Sequence, residues 1–128
     1  MLSFSGSLKV FVAVEACDMR KGFNGLNALV AERLGEDLKA GALFVFSNRR
    51  HTRIKIICFD GTGIWLLSKR LEAGTFAWPK NLPPETTKLK LTPQALAMLT
   101  DGVDLRGAKL RPMVVPPTKI VEGWMLLM

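Results

Sequence analysis

Arg49, Arg50, His51, Arg53 and Lys55, followed by Lys69 and Arg70, are the residues whose types and spacing point to chemistry, and that chemistry is anion recognition. Cationic groups beside strand-forming apolar residues suit a β-hairpin that presents donors to a phosphate backbone. Neutralising several phosphates releases counterions, which gives salt-sensitive affinity without any reading of bases. The charge is local: residues 49–90 carry nine Lys or Arg against three acidic residues, a net +6 of the formal +7. Residues 1–48 balance five against five, and 91–128 has four against three. Phosphate contact is the favoured reading; a solvated sheet face or an acidic protein partner would use the same charges.

Catalytic and metal chemistry find less support. His51 is the single histidine, has no Cys or Ser partner in its motif, and sits among arginines that oppose its protonation. It suits stacking on a base or donation to phosphate, although a lone turn histidine is usually just exposed. Asp18 and Asp60 each have a local role, as helix cap and turn residue, and no third carboxylate completes a two-metal site. Cys17 and Cys58 lack nearby Cys or His company, so a zinc site is not expected and the two read as buried thiols. There is no phosphate-cradling loop followed by Lys-Ser or Lys-Thr and no Gly-x-Ser-x-Gly elbow, so no cofactor is expected. Arg20 and Lys21 form a separate candidate for anion or partner contact. Positive charge near a helix start opposes the macrodipole, and an anion there relieves it; the plainer reading is an Asp18 cap with two solvated cations. Of the tryptophans, Trp65 is assigned to the core face, which leaves Trp78 as a candidate for stacking on unpaired bases.

At 128 residues and 48% hydrophobic, the chain has the length for one domain with its own core. No apolar run approaches the ~20 residues that cross a bilayer, and no charged-then-apolar secretion signal opens the sequence. A cytoplasmic protein without membrane contact is expected. Residues 7–14 read as a strand, and Asp18 opens a helix whose apolar stripe is Met19, Phe23, Leu26, Val30 and Leu34 before Gly35. Strands at 43–47, 53–60 and 63–71 follow as an antiparallel meander. The Asp60-Gly61-Thr62-Gly63 turn sets Phe59 opposite Ile64, Cys58 opposite Trp65, Ile56 opposite Leu67, Lys55 opposite Ser68 and Arg53 opposite Arg70. Ile54, Ile56, Cys58, Trp65 and Leu67 then share the core face, with Lys69 at its rim, while the other face is basic at its open end. Two arginines directly opposite repel unless solvent, an acidic neighbour or a bound anion separates their charges. Residues 72–84 form a loop in which Phe76 and Trp78 pack, 88–91 returns to the sheet, and Thr92-Pro93 starts a helix burying Leu96 and Leu99. The expected fold is α+β, a mainly antiparallel sheet of about four or five strands packed by two helices. It occupies 1–106 as a single domain, with 107–128 a Pro-containing apolar tail.

Four blocks in order, DMRKGFNGL at 18–26, LFVFSNRRHTRIKIICFDGTG at 43–63, KRLEAGTFAWP at 69–79 and LTPQALAMLTDGVD at 91–104, make residues 7–106 resemble the TnpB accessory proteins of bacterial insertion sequences of group sixty-six, the second open reading frame of those elements. The resemblance implies a small protein that assists transposition beside a separate transposase, and it implies no established active site. The expectation is therefore a non-enzymatic accessory protein binding DNA through the basic hairpin. The alternative is a protein–protein adaptor to the transposase without direct DNA contact.

Overall fold

LFVFS at Leu43–Ser47 is buried at every position, a pattern that suits an inner strand covered on both faces. A computed structural model, which describes residues 8–101, provides that cover. Its elements in chain order are β1 (Val10–Ala13), α1 (Phe23–Glu32), a 3-10 turn (Leu38–Ala40), β2 (Leu43–Ser47), β3 (Arg53–Phe59), β4 (Ile64–Arg70), β5 (Lys88–Leu91) and α2 (Pro93–Asp101). The five strands form one sheet in the order β4-β3-β2-β1-β5. Three of the four strand contacts are antiparallel, as expected for the mainly antiparallel α+β fold. The exception is β1 with β2, which run parallel with Val10 beside Leu43 and Val12 beside Val45. A parallel pair needs a crossover, and α1 supplies it.

Alternation along the strands splits the core in two. On one face Phe44, Phe46 and Ile57 pack with Leu26 and Val30 of α1 and with Leu34 and Leu38 after it. On the other, Val10, Val12, Val45, Ile54, Ile56 and Cys58 meet Leu96 and Leu99 of α2 and Phe76 and Trp78 of the 71–87 connection. At α2 the Thr92 hydroxyl accepts a hydrogen bond from the Ala95 N–H at 3.0 Å, the N-cap that Thr-Pro announces. The β3–β4 register is the one read from the turn, from Phe59 beside Ile64 to Arg53 beside Arg70. Asp60 fixes that turn by accepting from the N–H groups of Thr62 and Gly63, the Thr62 hydroxyl and the Trp65 indole N–H. These donors, the Thr62 N–H foremost, lower its carboxyl to about 2.

Three expectations need correction. Helix α1 begins at Phe23, not beside Asp18, because the Asp18 carboxylate is taken by the Arg20 N–H and guanidinium and Gly22 is extended at the cap position. Phe23 therefore falls in the first turn, 49% exposed, instead of in the buried stripe. Trp65 lies on the face assigned to it, but on edge strand β4, so it too stays 49% exposed. The face carrying Arg53 and Lys55 is not open along its length, since α1 and its neighbours cover Ile57 there. The expected tail at 107–128 lies outside the described residues.

Phe44 is fully buried at the centre of the α1-side cluster. Truncation leaves a cavity that flanking strands fill only in part, so Phe44→Ala should lower unfolding free energy by about 3–5 kcal/mol in urea denaturation.

Candidate nucleic-acid interface

Because β1 and β2 run parallel, the connections that leave them, residues 14–22 and 48–52, emerge at the same end of the sheet. The 71–87 connection joins them, since it starts after Arg70, which lies beside Arg53, and finishes at Lys88, beside Ala13. Backbone bonds tie the three together. The Cys17 N–H donates to the Ser47 carbonyl at 2.9 Å, the Phe76 N–H to His51 at 2.7 Å, and the Leu71 N–H to Thr52 at 3.0 Å. The Trp78 indole N–H donates to the Ala13 carbonyl at 3.1 Å.

Asn48 builds the β2–β3 turn. Its side-chain carbonyl accepts from the N–H groups of Thr52 at 2.9 Å and Arg53 at 3.1 Å, and its amide donates to the Thr52 hydroxyl at 3.0 Å. Its backbone carbonyl accepts from the His51 N–H at 3.1 Å. An asparagine that closes a turn with its own side chain is a recognised device, and Asn just before Arg-Arg was the available signal for it. The result is a fixed loop with Arg49 and Arg50 exposed at its tip.

His51 is half-buried and belongs to the scaffold. Its ring stacks on Trp78 with centroids 5.4 Å apart and planes 10° from parallel, and Nδ1 lies 3.1 Å from the Ser47 hydroxyl. Its backbone is left-handed at φ 59. Burial, with Lys80 adding repulsion, pushes its pKa below 6.5. Trp78, the sequence candidate for base stacking, is 4% exposed and filled by these contacts. Trp65, assigned to the core face, is thus the exposed one, while Trp78 packs as the loop reading expects and is not free to stack on bases.

The cations also divide. Lys55 donates to the Lys21 carbonyl at 2.8 Å, and Lys69 to the Thr100 carbonyl at the end of α2 at 2.7 Å. Lys69 lies on the α2 side, opposite Arg53, Lys55 and Arg70. Lys88 bonds the Leu34 carbonyl just after α1 at 2.7 Å and pairs with Glu36. Arg20 forms an ion pair with Asp18 at 2.8 Å, an arrangement that holds the Asp18 carboxyl at about 2. Lys21 is half-buried, and its stem runs so close to Gly25 that a Cβ there would lie 3.1 Å from it. Arg70 shares its charge with Glu72 at 3.6 Å, the acidic neighbour that the Arg53–Arg70 pairing calls for. Arg49, Arg50 and Arg53 are exposed and have no ion-pair partner among the described residues. Lys80, absent from the sequence-derived set, is exposed on the same end.

What this end can do chemically is hold an oxyanion. Among the described residues no group of three or more His, Cys, Asp or Glu is placed to hold a metal ion, and no helix is long and apolar enough to cross a membrane. Cys17 and Cys58 are free, and burial raises both thiol pKa values, so neither has thiolate character. An open cavity of about 360 Å³ beside Cys17 is rimmed by Glu15 and Arg33, which pair with each other.

The family model for IS66 Orf2 like protein matches residues 8–110. The chain is 38% identical over 120 residues to the uncharacterized protein y4jC of Sinorhizobium fredii, a match covering 94% of this chain and 99% of that protein. It is 37% identical over 106 residues to the uncharacterized protein y4hO of the same organism, covering 83% and 90%. No solved structure matches it.

Two outcomes test the turn. Asn48→Ala leaves the Thr52 and Arg53 N–H groups without their acceptor, so unfolding free energy should drop by about 1–3 kcal/mol and hydrogen exchange at those two amides should accelerate. His51 should titrate below 6.5 in an NMR pH series. With the folded pKa depressed, the unfolded chain binds the proton first, so stability is full above 6.5 and falls as pH drops below it.

Proposed function

The chain belongs to the IS66 Orf2-like family of insertion-sequence accessory proteins, and on that premise we propose that it serves transposition by binding DNA through the end of the sheet where its three connections meet. One observation carries the reading: a turn locked by Asn48 holds Arg49 and Arg50 at its tip, with Arg53 beside it, all exposed and free of carboxylate partners among the described residues. A fixed backbone brings these guanidinium groups to one surface, and their planar forks bind phosphate oxygens in paired hydrogen bonds. Arg70, Lys80 and Arg20 extend the cationic surface, while Lys55 and Lys69 spend their ammonium groups on backbone carbonyls of this chain. The interaction is with the backbone, so affinity varies little with sequence, and the protein positions DNA for the element's transposase without carrying out strand chemistry itself.

The test is a salt titration of duplex DNA binding for wild type, Arg49→Gln/Arg50→Gln and Arg53→Gln/Arg70→Gln. Each double replacement should weaken binding on element-end and scrambled duplex alike and reduce the slope of log K against log salt by about 2, one phosphate per arginine. Unchanged affinity and slope in both variants would remove this surface from the account, and no binding by wild type at low salt would remove DNA and favour an acidic region of a protein partner.

A further inference from the structure

The outer edge of β4 lies at the end of the sheet order and has no strand beyond it among the described residues. It is seven residues long, and its first half is apolar, with Ile64 37% and Trp65 49% exposed. Sheet edges are normally blunted by charge or brevity. The opposite edge, β5, follows that practice with four residues including Lys88 and Lys90, whereas the Ile64 to Leu67 half of β4 does not.

Hydrogen bonds at both ends of the β3–β4 hairpin, Asp60 N–H to the Gly63 carbonyl and Leu71 N–H to Thr52, set the alternation between them. Trp65, Leu67 and Lys69 turn their backbone groups toward β3, and Ile64, Leu66, Ser68 and Arg70 turn theirs outward. The strand is also polar along its length. Asp60, held ionised by its turn, stands at one end, and Lys69 and Arg70 at the other. Parallel association of two such edges would set Lys69 and Arg70 against their own copies. Antiparallel association sets each cationic end beside the partner's Asp60 turn.

We propose that a second copy of this chain occupies this edge, paired antiparallel about a two-fold axis at Leu67, so that two five-stranded sheets become one. In that register all seven residues of β4 are paired, and the outward groups bond as Ile64 with Arg70 and Leu66 with Ser68. Trp65 then lies against Lys69 of the second copy on the α2 side, where aromatic face and lysine stem cover each other. A shift of two residues in either direction leaves part of the strand unpaired and separates Trp65 from Lys69. The Arg70 end of this edge adjoins the Arg49–Arg50 turn, but the pairing uses the outward backbone groups of β4 and does not depend on DNA binding.

Ser68→Pro removes an outward N–H and no bond to β3, a position where an edge strand tolerates proline. Sedimentation equilibrium across the micromolar range should show a dimer for wild type and a monomer for Ser68→Pro. Independently, Leu67→Cys should oxidise to a covalent dimer, because Cα atoms across the axis lie about 4.5 Å apart. Ile64→Cys should not, since the two copies of that residue lie roughly 20 Å apart. If Ser68→Pro lacks the circular dichroism spectrum of the fold, the two cysteine variants decide. A wild-type monomer throughout the range, a folded Ser68→Pro that still dimerises, or crosslinking at Ile64→Cys in preference to Leu67→Cys overturns the proposal. In a wild-type monomer, slow amide exchange at Leu66 and Ser68 would assign the edge to this chain's own residues beyond 101, and fast exchange would leave it to another protein.

Discussion

The parallel pairing of β1 with β2 is the constraint from which the remaining geometry follows. Two consecutive parallel strands must be joined by a segment that travels back along the sheet, and a helix with one apolar stripe does so at least cost because it buries that stripe on the way. Leu26 and Val30 of α1 meet Phe44, Phe46 and Ile57 for this reason. The same crossing fixes where the chain next turns. Both strands end at one edge of the molecule, so the segments after them emerge together, and the β3–β4 hairpin then returns its last residue, Arg70, to the same place. Three segments far apart in sequence become one surface.

On that surface the division between lysine and arginine has a physical cause. A lysine ammonium is a compact charge on a flexible stem, suited to bonding carbonyls, and Lys55, Lys69 and Lys88 do this for Lys21, Thr100 and Leu34. The negative ends of the α2 dipole and of the segment after α1 thus receive a cation from the sheet. Arginine presents five donors in a plane and is poorly matched to a single carbonyl, yet well matched to phosphate. Arg49, Arg50 and Arg53 stay outside the internal network. A net charge of +6 within 49–90 therefore serves two purposes, fastening the fold and facing outward.

Local features were legible in the sequence. The Asp60 turn dictated a register that the structure reproduces residue by residue, and Thr92-Pro93 with Leu96 and Leu99 announced α2. These signals depend on near neighbours alone. What stayed hidden was set by distant residues or, at Asp18, by a competing local contact. Asp18 precedes an apolar stripe as a cap would, but its carboxylate is claimed by Arg20 two residues on, which moves the helix start to Phe23. Alternation placed Trp65 on the correct face, yet exposure depends on the strand's position at the edge, and edge order is a property of the whole sheet. The stacking of His51 on Trp78 was hidden because nothing between them in sequence shows that the 71–87 connection folds back over the 48–52 turn. For the site, the arginines were visible as a charge cluster, whereas Asn48, which holds them, had only a turn propensity to mark it.

The claim that the meeting point of the three connections is the DNA-binding surface is tested most directly by NMR chemical-shift mapping of the isotope-labelled protein titrated with a short duplex. The account predicts that the largest changes fall on the backbone and guanidinium signals of Arg49, Arg50, Arg53 and Arg70, with smaller ones in 14–22, while the indole of Trp65 stays unchanged. Changes concentrated on the Ile64–Ser68 part of β4, or none at saturating duplex, would contradict it.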